Sequence, residues 1–408
     1  MDIFKILFLS RFSLSQFFCC ALLLLVVIAC DRKEPIEESV TPTEKVVSVD
    51  PSILPRTEAA WLKGISFANE SVNEAESLQN AIQKFLQDPN DETLTAARES
   101  WHTSHTTYTQ LEMFITLGLS NPGLFGQLIP TNFLIDAQPI LPGYLDYFDV
   151  YANSGIVNDI AMPLAAESLR AQHGFSDETE VSLGFHAIEY LLWGETGARL
   201  ADDYLDIQEL DTTQRSTGVR IIDLPNNRRR VLLNLLSVLL TDDISQLKQQ
   251  LENPADTVRQ NYSALTPLSR MQLLQAAAYS MLAQRIEWIN NFNASEAEAI
   301  SEQEETIEQA STNAANDPIL HNQFSADEAT LFYIELRTIN NILFDENIGF
   351  ADWILSNEQL PLLAQFQETI QMISAEDFIW PPNETERAEM IGSLSLFAEA
   401  IAPPSVEE

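Results

Sequence analysis

Cysteine is scarce in this 408-residue chain, which has only three: Cys19, Cys20 and Cys30. All three lie in or directly after a long apolar run near the amino terminus. No cysteine follows position 30, which excludes disulfide bonds and thiolate metal sites from the rest of the protein.

Basic residues are also few, because 22 Lys and Arg stand against 60 Asp and Glu, for a formal net charge of -38. Such a charge repels phosphate backbones and anionic lipid surfaces, so a nucleic acid partner is not expected. Solubility is the ordinary role of an acidic surface, and the charge alone assigns no function. The 45% hydrophobic content is enough for at least one large core.

The amino terminus has the pattern of a bacterial lipoprotein signal. Lys5 and Arg11 precede an apolar run, and Val27-Ile28-Ala29-Cys30 resembles the motif at which signal peptidase cuts before a lipidated cysteine. We therefore predict a signal peptide over 1–29 and a flexible tether over 30–56, anchored to the membrane through Cys30. An uncleaved membrane-spanning anchor is the alternative. Both place the body outside the cytoplasm, facing the periplasm, with the membrane leaflet undecided.

Alternating strand patterns are missing, whereas apolar residues recur three and four apart from Thr57 onward. This predicts an all-α fold of two packed helical subdomains, over 57–222 and 223–401. The predicted helices, broken by Pro, Gly, Asn and Asp, are 57–87, 92–117, 177–193, 225–252, 266–291, 325–344, 358–374 and 384–401.

The chain has five histidines, and one of them opens the best candidate for a metal site. His186 and Glu189 stand three residues apart on a predicted helix, so an imidazole and a carboxylate share one face and can converge on an ion. Gly184, without a side chain, suggests close approach by another backbone or a ligand. A core histidine hydrogen-bonded to a neighbouring carboxylate is the alternative.

A second stripe of chemically useful residues lies on the helix predicted over 92–117. Trp101, His105, Tyr108 and Glu112 follow one another at steps of four, three and four, which places them on one face. The stripe mixes aromatic bulk with ligand-type groups. An amphipathic face with incidental polar residues is the alternative.

The segment Gly184-Phe185-His186-Ala187-Ile188-Glu189-Tyr190-Leu191-Leu192-Trp193-Gly194 resembles the signature of imelysin-like proteins, which include insulin-cleaving membrane protease homologues and iron-regulated envelope proteins. The resemblance extends to four other groups of residues: Trp101, Tyr108, Gln110, Glu112 and Phe114; Ile135-Asp136-Ala137 with Pro139; Asn227-Arg228-Arg229-Arg230; and His321-Asn322-Gln323-Phe324-Ser325. The chain departs from the family at His105, where arginine is usual, at Gln138, where tryptophan is usual, and after Ser325.

This resemblance implies two four-helix-bundle subdomains with a site near their interface. His186 and Glu189 would be metal ligands, with Glu112 as a third. The surrounding pocket would include Trp101, His105, Tyr108, Asp136, Gly184, His321 and Ser325, since metal ligands need outer partners to orient them.

Two functions remain open at this stage. The first is binding of a metal ion, iron favoured and zinc possible, in iron uptake or homeostasis, with an iron transporter or receptor as partner. The second is a metallopeptidase, as the family's insulin-cleaving members suggest. The chain has no His-Glu-x-x-His pair, and its single His-x-x-Glu does not suit a di-iron centre, so we favour binding.

Overall fold

The computed structural model describes residues 50–302, 324–325 and 328–403, except 142, 149–150, 376–377 and 381, with side chains omitted at 217 and 291–302. The predicted signal peptide, Cys30 and His321 lie outside the described residues. None of the described helices is long and apolar enough to cross a membrane.

The described part of the chain is all-α, as predicted, with one isolated bridge between Phe148 and Tyr151 in place of strands. Short 3-10 helices cover Ala201–Tyr204 and Ile221–Asp223. The α-helices are α1 (Ile53–Gln87), α2 (Asp91–Thr109), α3 (Glu112–Ile115), α4 (Leu117–Ser120), α5 (Pro122–Phe125), α6 (Leu128–Asp136), α7 (Gly155–Asn158), α8 (Ala166–Gln172), α9 (Gly184–Trp193), α10 (Thr212–Thr217), α11 (Pro225–Glu252), α12 (Thr257–Ala264), α13 (Pro267–Glu302), α14 (Glu328–Leu343), α15 (Ala351–Ile354), α16 (Leu360–Ile373) and α17 (Glu384–Ala400).

Helix boundaries follow from local capping chemistry. Asn90 ends the turn after α1, accepts a hydrogen bond from the backbone N–H of Thr93 and donates its own N–H to the Thr93 hydroxyl. The result is a tight helical hairpin of α1 and α2. Pro225 stands in the first turn of α11 and Asn383 caps α17, as their residue types favour.

The helices form two groups around a continuous hydrophobic core. In the first, α1 packs against α2 and α11, while α9 packs against α2, α6 and α11. In the second, α13 packs against α17, and α16 packs against α14 and α17. Helix α11 follows residue 222 in the chain, but it packs against α1, α6 and α9, which precede that residue. The predicted division of the chain into 57–222 and 223–401 stays a prediction.

One predicted helix is wrong over its first half. The pattern predicted a helix from Asp177, but α9 begins at Gly184. Gly184, the first residue of α9, has a φ of +85°, and Leu183 before it is extended, so the helix cannot continue toward Asp177. Val181 and Leu183 are apolar because they are buried in an extended segment, and their spacing is not evidence of a helix.

Candidate metal centre

Two imidazoles and one carboxylate meet where α2, α6 and α9 pack together. His105 lies on α2, Asp136 is the last residue of α6, and His186 lies in the first turn of α9. The Nε2 atoms of His105 and His186 are 2.9 Å and 3.2 Å from Oδ1 of Asp136. All three are buried, with exposed fractions of 0%, 1% and 8% for His105, His186 and Asp136. We call these three residues the His–Asp–His cluster.

Glu189 contacts the other side of the His186 ring. Its Oε2 lies 2.9 Å from Nδ1 of His186, as the i, i+3 spacing predicts. Its Oε1 accepts backbone N–H groups of Phe324 at 3.1 Å and Ser325 at 2.8 Å. The imidazole of His186 is therefore held between two carboxylates, and Glu189 also connects α9 to the turn at residues 324–325.

These contacts set the protonation of the pair. Burial by itself lowers the pKa of His186, but the hydrogen bonds and charges of Asp136 and Glu189 outweigh it and raise the pKa to about 10. Burial likewise raises the pKa of Glu189, and its contacts with His186 and Ser325 reverse that effect, so its pKa is lowered. Both shifts favour a protonated His186 paired with an ionised Glu189.

Gly184 allows this arrangement by bringing α9 against the end of α6. A Cβ on Gly184 would lie 2.4 Å from the carbonyl oxygen of Ile135, the residue before Asp136. The close backbone approach predicted for this glycine is confirmed, and it holds Asp136 beside His186.

Aromatic rings enclose the cluster. The Trp101 ring stacks on His105 with centroids 4.8 Å apart, and its Nε1–H donates to the carbonyl oxygen of Phe185 at 2.9 Å. The Phe185 ring lies 4.8 Å from His105 on another side. Tyr108 donates its hydroxyl to Asn132 at 2.5 Å. This apolar wall strengthens electrostatic interactions inside the cluster.

Glu112, the predicted third ligand, is not part of this cluster. It lies on α3 and lines a cavity of about 220 Å³ between α3, α13 and α14, which we call the Glu112 cavity. Burial raises the pKa of Glu112 to about 8, with repulsion from Glu335 and Asp136 adding to the shift. The other lining residues are Gln138, Met281, Gln284, Arg285, Trp288 and Glu335.

Most of the site residues predicted from the sequence lie together. His186, Glu189, His105 and Asp136 form one chain of hydrogen bonds and ion pairs, and Ser325 joins it through its backbone N–H. Trp101, Tyr108 and Gly184 support it from the sides. His105 and Asp136 were predicted as outer pocket residues, whereas their side-chain atoms lie with His186 as potential metal ligands.

The sequence reasoning missed the residues that α13 and α14 bring to the Glu112 cavity. Arg285 pairs with Glu335 through two hydrogen bonds, one of them 2.5 Å from Nε to Oε2, and its guanidinium lies over the Trp288 ring. The two partners lie on separate helices with no shared motif. In the sequence, the only signals for Arg285 and Glu335 are their charges and their positions on amphipathic helices.

The donor set fits a metal ion. Zinc and similar ions bind imidazole and carboxylate at about 2.0–2.2 Å, so neighbouring ligand atoms lie roughly 2.8–3.6 Å apart in octahedral or tetrahedral geometry. The 2.9 Å and 3.2 Å separations within the His–Asp–His cluster fall in that range and are also ordinary hydrogen-bond distances. Neutral His186, with its Nδ1–H donated to Glu189, would present the Nε2 lone pair to the ion.

Comparison with known proteins places the chain. A solved structure from Parabacteroides distasonis, named as an iron-regulated protein A precursor, is similar with a TM-score of 0.52 and 12% sequence identity, over 87% of this chain and 95% of that chain. At this identity, the similarity shows the fold. No curated protein sequence matches. The sequence model of the imelysin family matches residues 66–376, well over half of the chain, and the protein therefore belongs to the imelysin family.

Proposed function

We propose that this imelysin-family protein binds a metal ion, iron favoured, and serves iron uptake or homeostasis in the cell envelope. The observation that carries the proposal is the His–Asp–His cluster, where three buried donor atoms lie within 4.8 Å of one another. Two imidazoles and one carboxylate are the protein ligands of many mononuclear Fe(II) centres.

Iron is favoured over zinc for two reasons. Among the described residues, the cluster supplies two imidazoles and one carboxylate, which is the ligand set of mononuclear Fe(II) sites with open coordination positions. The structurally similar Parabacteroides protein is also named for regulation by iron. Zinc accepts the same donors, and analysis of the bound metal distinguishes the two.

In this proposal, Glu189 orients His186 instead of contacting the ion. Both of its oxygens are engaged, one by the imidazole and one by two backbone N–H groups. A carboxylate on the far nitrogen of a metal-bound histidine selects the tautomer and makes the ring a better ligand.

A metallopeptidase has less support from this geometry. Peptide hydrolysis needs a carboxylate that is free to activate water beside the ion and a cleft that admits a polypeptide. Glu189 is occupied, and the three potential ligands are almost fully buried. Cleavage of unfolded polypeptides by metal-loaded protein, lost in Glu189→Ala, would reverse this preference.

Metal analysis tests the ligand assignment. Wild-type protein, His105→Ala, Asp136→Ala and His186→Ala are each saturated with Fe(II) without oxygen and then dialysed. We expect one ion per wild-type chain and less than a tenth of that in each variant. His102→Gln, which changes a histidine of the same helix outside the cluster, is the control and should keep its ion. Iron retained by His186→Ala would refute the assignment.

Anchoring through Cys30 is proposed from the sequence motif and is tested separately. Radiolabelled fatty acid should enter the wild-type protein in cells and not Cys30→Ser. Equal labelling of the two proteins would remove the lipid anchor from the proposal.

A further inference from the structure

His173 lies directly after α8, outside the His–Asp–His cluster, and its ring bridges two segments that carry the cluster. Nε2 of the ring lies 2.7 Å from the carbonyl oxygen of Phe133 on α6. Nδ1 lies 3.2 Å from the backbone nitrogen of Ser182, in the extended segment before α9. Phe133 comes one helical turn before Asp136, and Ser182 comes four residues before His186. The ring therefore connects the two segments that place Asp136 beside His186.

The two contacts fix the protonation of the His173 ring. A carbonyl oxygen only accepts, so Nε2–H donates to Phe133. The backbone N–H of Ser182 donates, so Nδ1 must keep its lone pair. His173 is therefore neutral in this arrangement, and a proton on Nδ1 would break its contact with Ser182.

The surroundings of His173 favour the neutral ring but do not close it off from solvent. Burial lowers the pKa of His173 below 6.5, the contact with the α6 carbonyl opposes that shift, and repulsion from Arg170 adds to it. Arg170 is itself paired with Asp243 of α11 at 2.7 Å, and the Glu180 carboxylate accepts the Ser176 hydroxyl. The ring is only partly buried, so it exchanges protons with solvent more readily than the buried cluster.

We infer that His173 is a pH-sensitive positioning residue, which holds His186 beside Asp136 when it is neutral and loosens the metal site when it is protonated. This inference rests on the proposed function and adds a means of regulating it. Protonation leaves the Ser182 N–H without its acceptor, so the start of α9 is held less firmly against α6. Acid solution then releases the ion partly through a group outside the ligand set.

The test separates the two nitrogens of His173. In His173→Asn, an amide oxygen stands near the position of Nδ1 and can accept from Ser182, but it does not titrate. In His173→Gln, the amide reaches the position of Nε2 and can donate to Phe133, while Ser182 loses its acceptor. Equilibrium dialysis measures the Co(II) affinity of each full-length chain at pH 7.5 and pH 5.0. His102→Gln is the matched control, because it replaces a histidine outside this bridge.

At pH 7.5, we expect His173→Asn to bind Co(II) about as tightly as wild type. His173→Gln should bind about fivefold more weakly, as the loss of one hydrogen bond implies. At pH 5.0, protons compete for the ligands in every protein, but only wild type and His102→Gln also lose the Ser182 contact. The affinity of His173→Asn relative to wild type should therefore rise about fivefold, whereas a merely structural role would give the same ratio at both pH values.

Hydrogen exchange in the ion-free chain gives a second measurement. Peptides that cover 180–186 should lose protection between pH 7.5 and pH 5.0 in wild type, after correction for intrinsic rates, and keep it in His173→Asn. An affinity ratio that does not change with pH, or equal loss of protection in both proteins, would overturn this inference and leave the proposed function standing. A wild-type chain that takes up no metal ion would refute the proposed function, and this inference with it.

Discussion

A substitution at Glu189 can show whether its carboxylate binds the metal ion or orients His186. We expect Glu189→Gln to keep one metal ion per chain but to bind it about 10- to 100-fold more weakly, as is usual when the outer partner of a ligating histidine changes. Competition with a chelator of known affinity measures this effect. Complete loss of the ion, as expected for His186→Ala, would show that Glu189 is itself a ligand.

Protonation of His186 predicts that metal binding depends on pH. The neighbouring carboxylates raise the pKa of His186 to about 10 in the ion-free protein, so a proton and the ion compete for this imidazole at neutral pH. The apparent affinity should therefore rise with pH between 6 and 9, with at least one proton released for each ion bound. Calorimetric titrations in buffers of different ionisation enthalpy count that proton, and an affinity that falls as pH rises would contradict the prediction.

Gly184 provides a test of the packing that brings Asp136 to His186. Ala at this position must adopt a φ of +85° and place its Cβ 2.4 Å from a backbone oxygen, so Gly184→Ala should destabilise the protein by about 2 kcal/mol or more. Gly392→Ala is the matched control, because nothing lies within 4 Å of its added Cβ inside α17, and it should be neutral or stabilising. Thermal denaturation compares the two variants.

At the scale of elements, α11 holds an irregular part of the chain in place. Arg228 is buried at the start of this helix, and its guanidinium donates to backbone carbonyl oxygens of α7 and of the loop after it. The four acceptors are Ile156, Val157, Asp159 and Met162. One side chain therefore pairs carbonyl groups at the end of α7 and in the loop that follows it.

We expect Arg228→Lys to lower the free energy of unfolding by about 2–3 kcal/mol, because an ammonium group cannot reach all four carbonyl groups and leaves buried acceptors unpaired. Arg220→Lys is the control, since Arg220 has a largely exposed side chain paired only with Asp223. Urea denaturation should show little change in the control. Equal stability of both variants would mean that water replaces the lost contacts.

Most helices could be predicted from the sequence because their signals are local. The predicted and observed bounds agree at 225–252, and those of α16 and α17 differ by at most two residues at either end. The long helix predicted over 92–117 is instead interrupted after Thr109, and α13 runs beyond its predicted end. Helix ends inside a packed core depend on neighbours, which periodicity does not report.

At the scale of the whole molecule, the candidate site joins elements that are distant in sequence. The His–Asp–His cluster draws on α2, α6 and α9, and the Glu112 cavity adds α3, α13 and α14. The formal net charge of -38 attracts cations to the protein. Proteins with this charge bind cations faster at low salt, because salt screens the long-range attraction.

The order of amino acids is sufficient for the helical architecture, the family and the pairing of His186 with Glu189. Helical periodicity and an i, i+3 contact depend on nearby residues and on one backbone geometry. Packing of distant helices was needed to show that Asp136 and His105 meet His186, while Glu112 faces a cavity with Glu335. Several helices present ligand-type groups, and their crossing in three dimensions selects which of those groups come within bonding distance of a single ion.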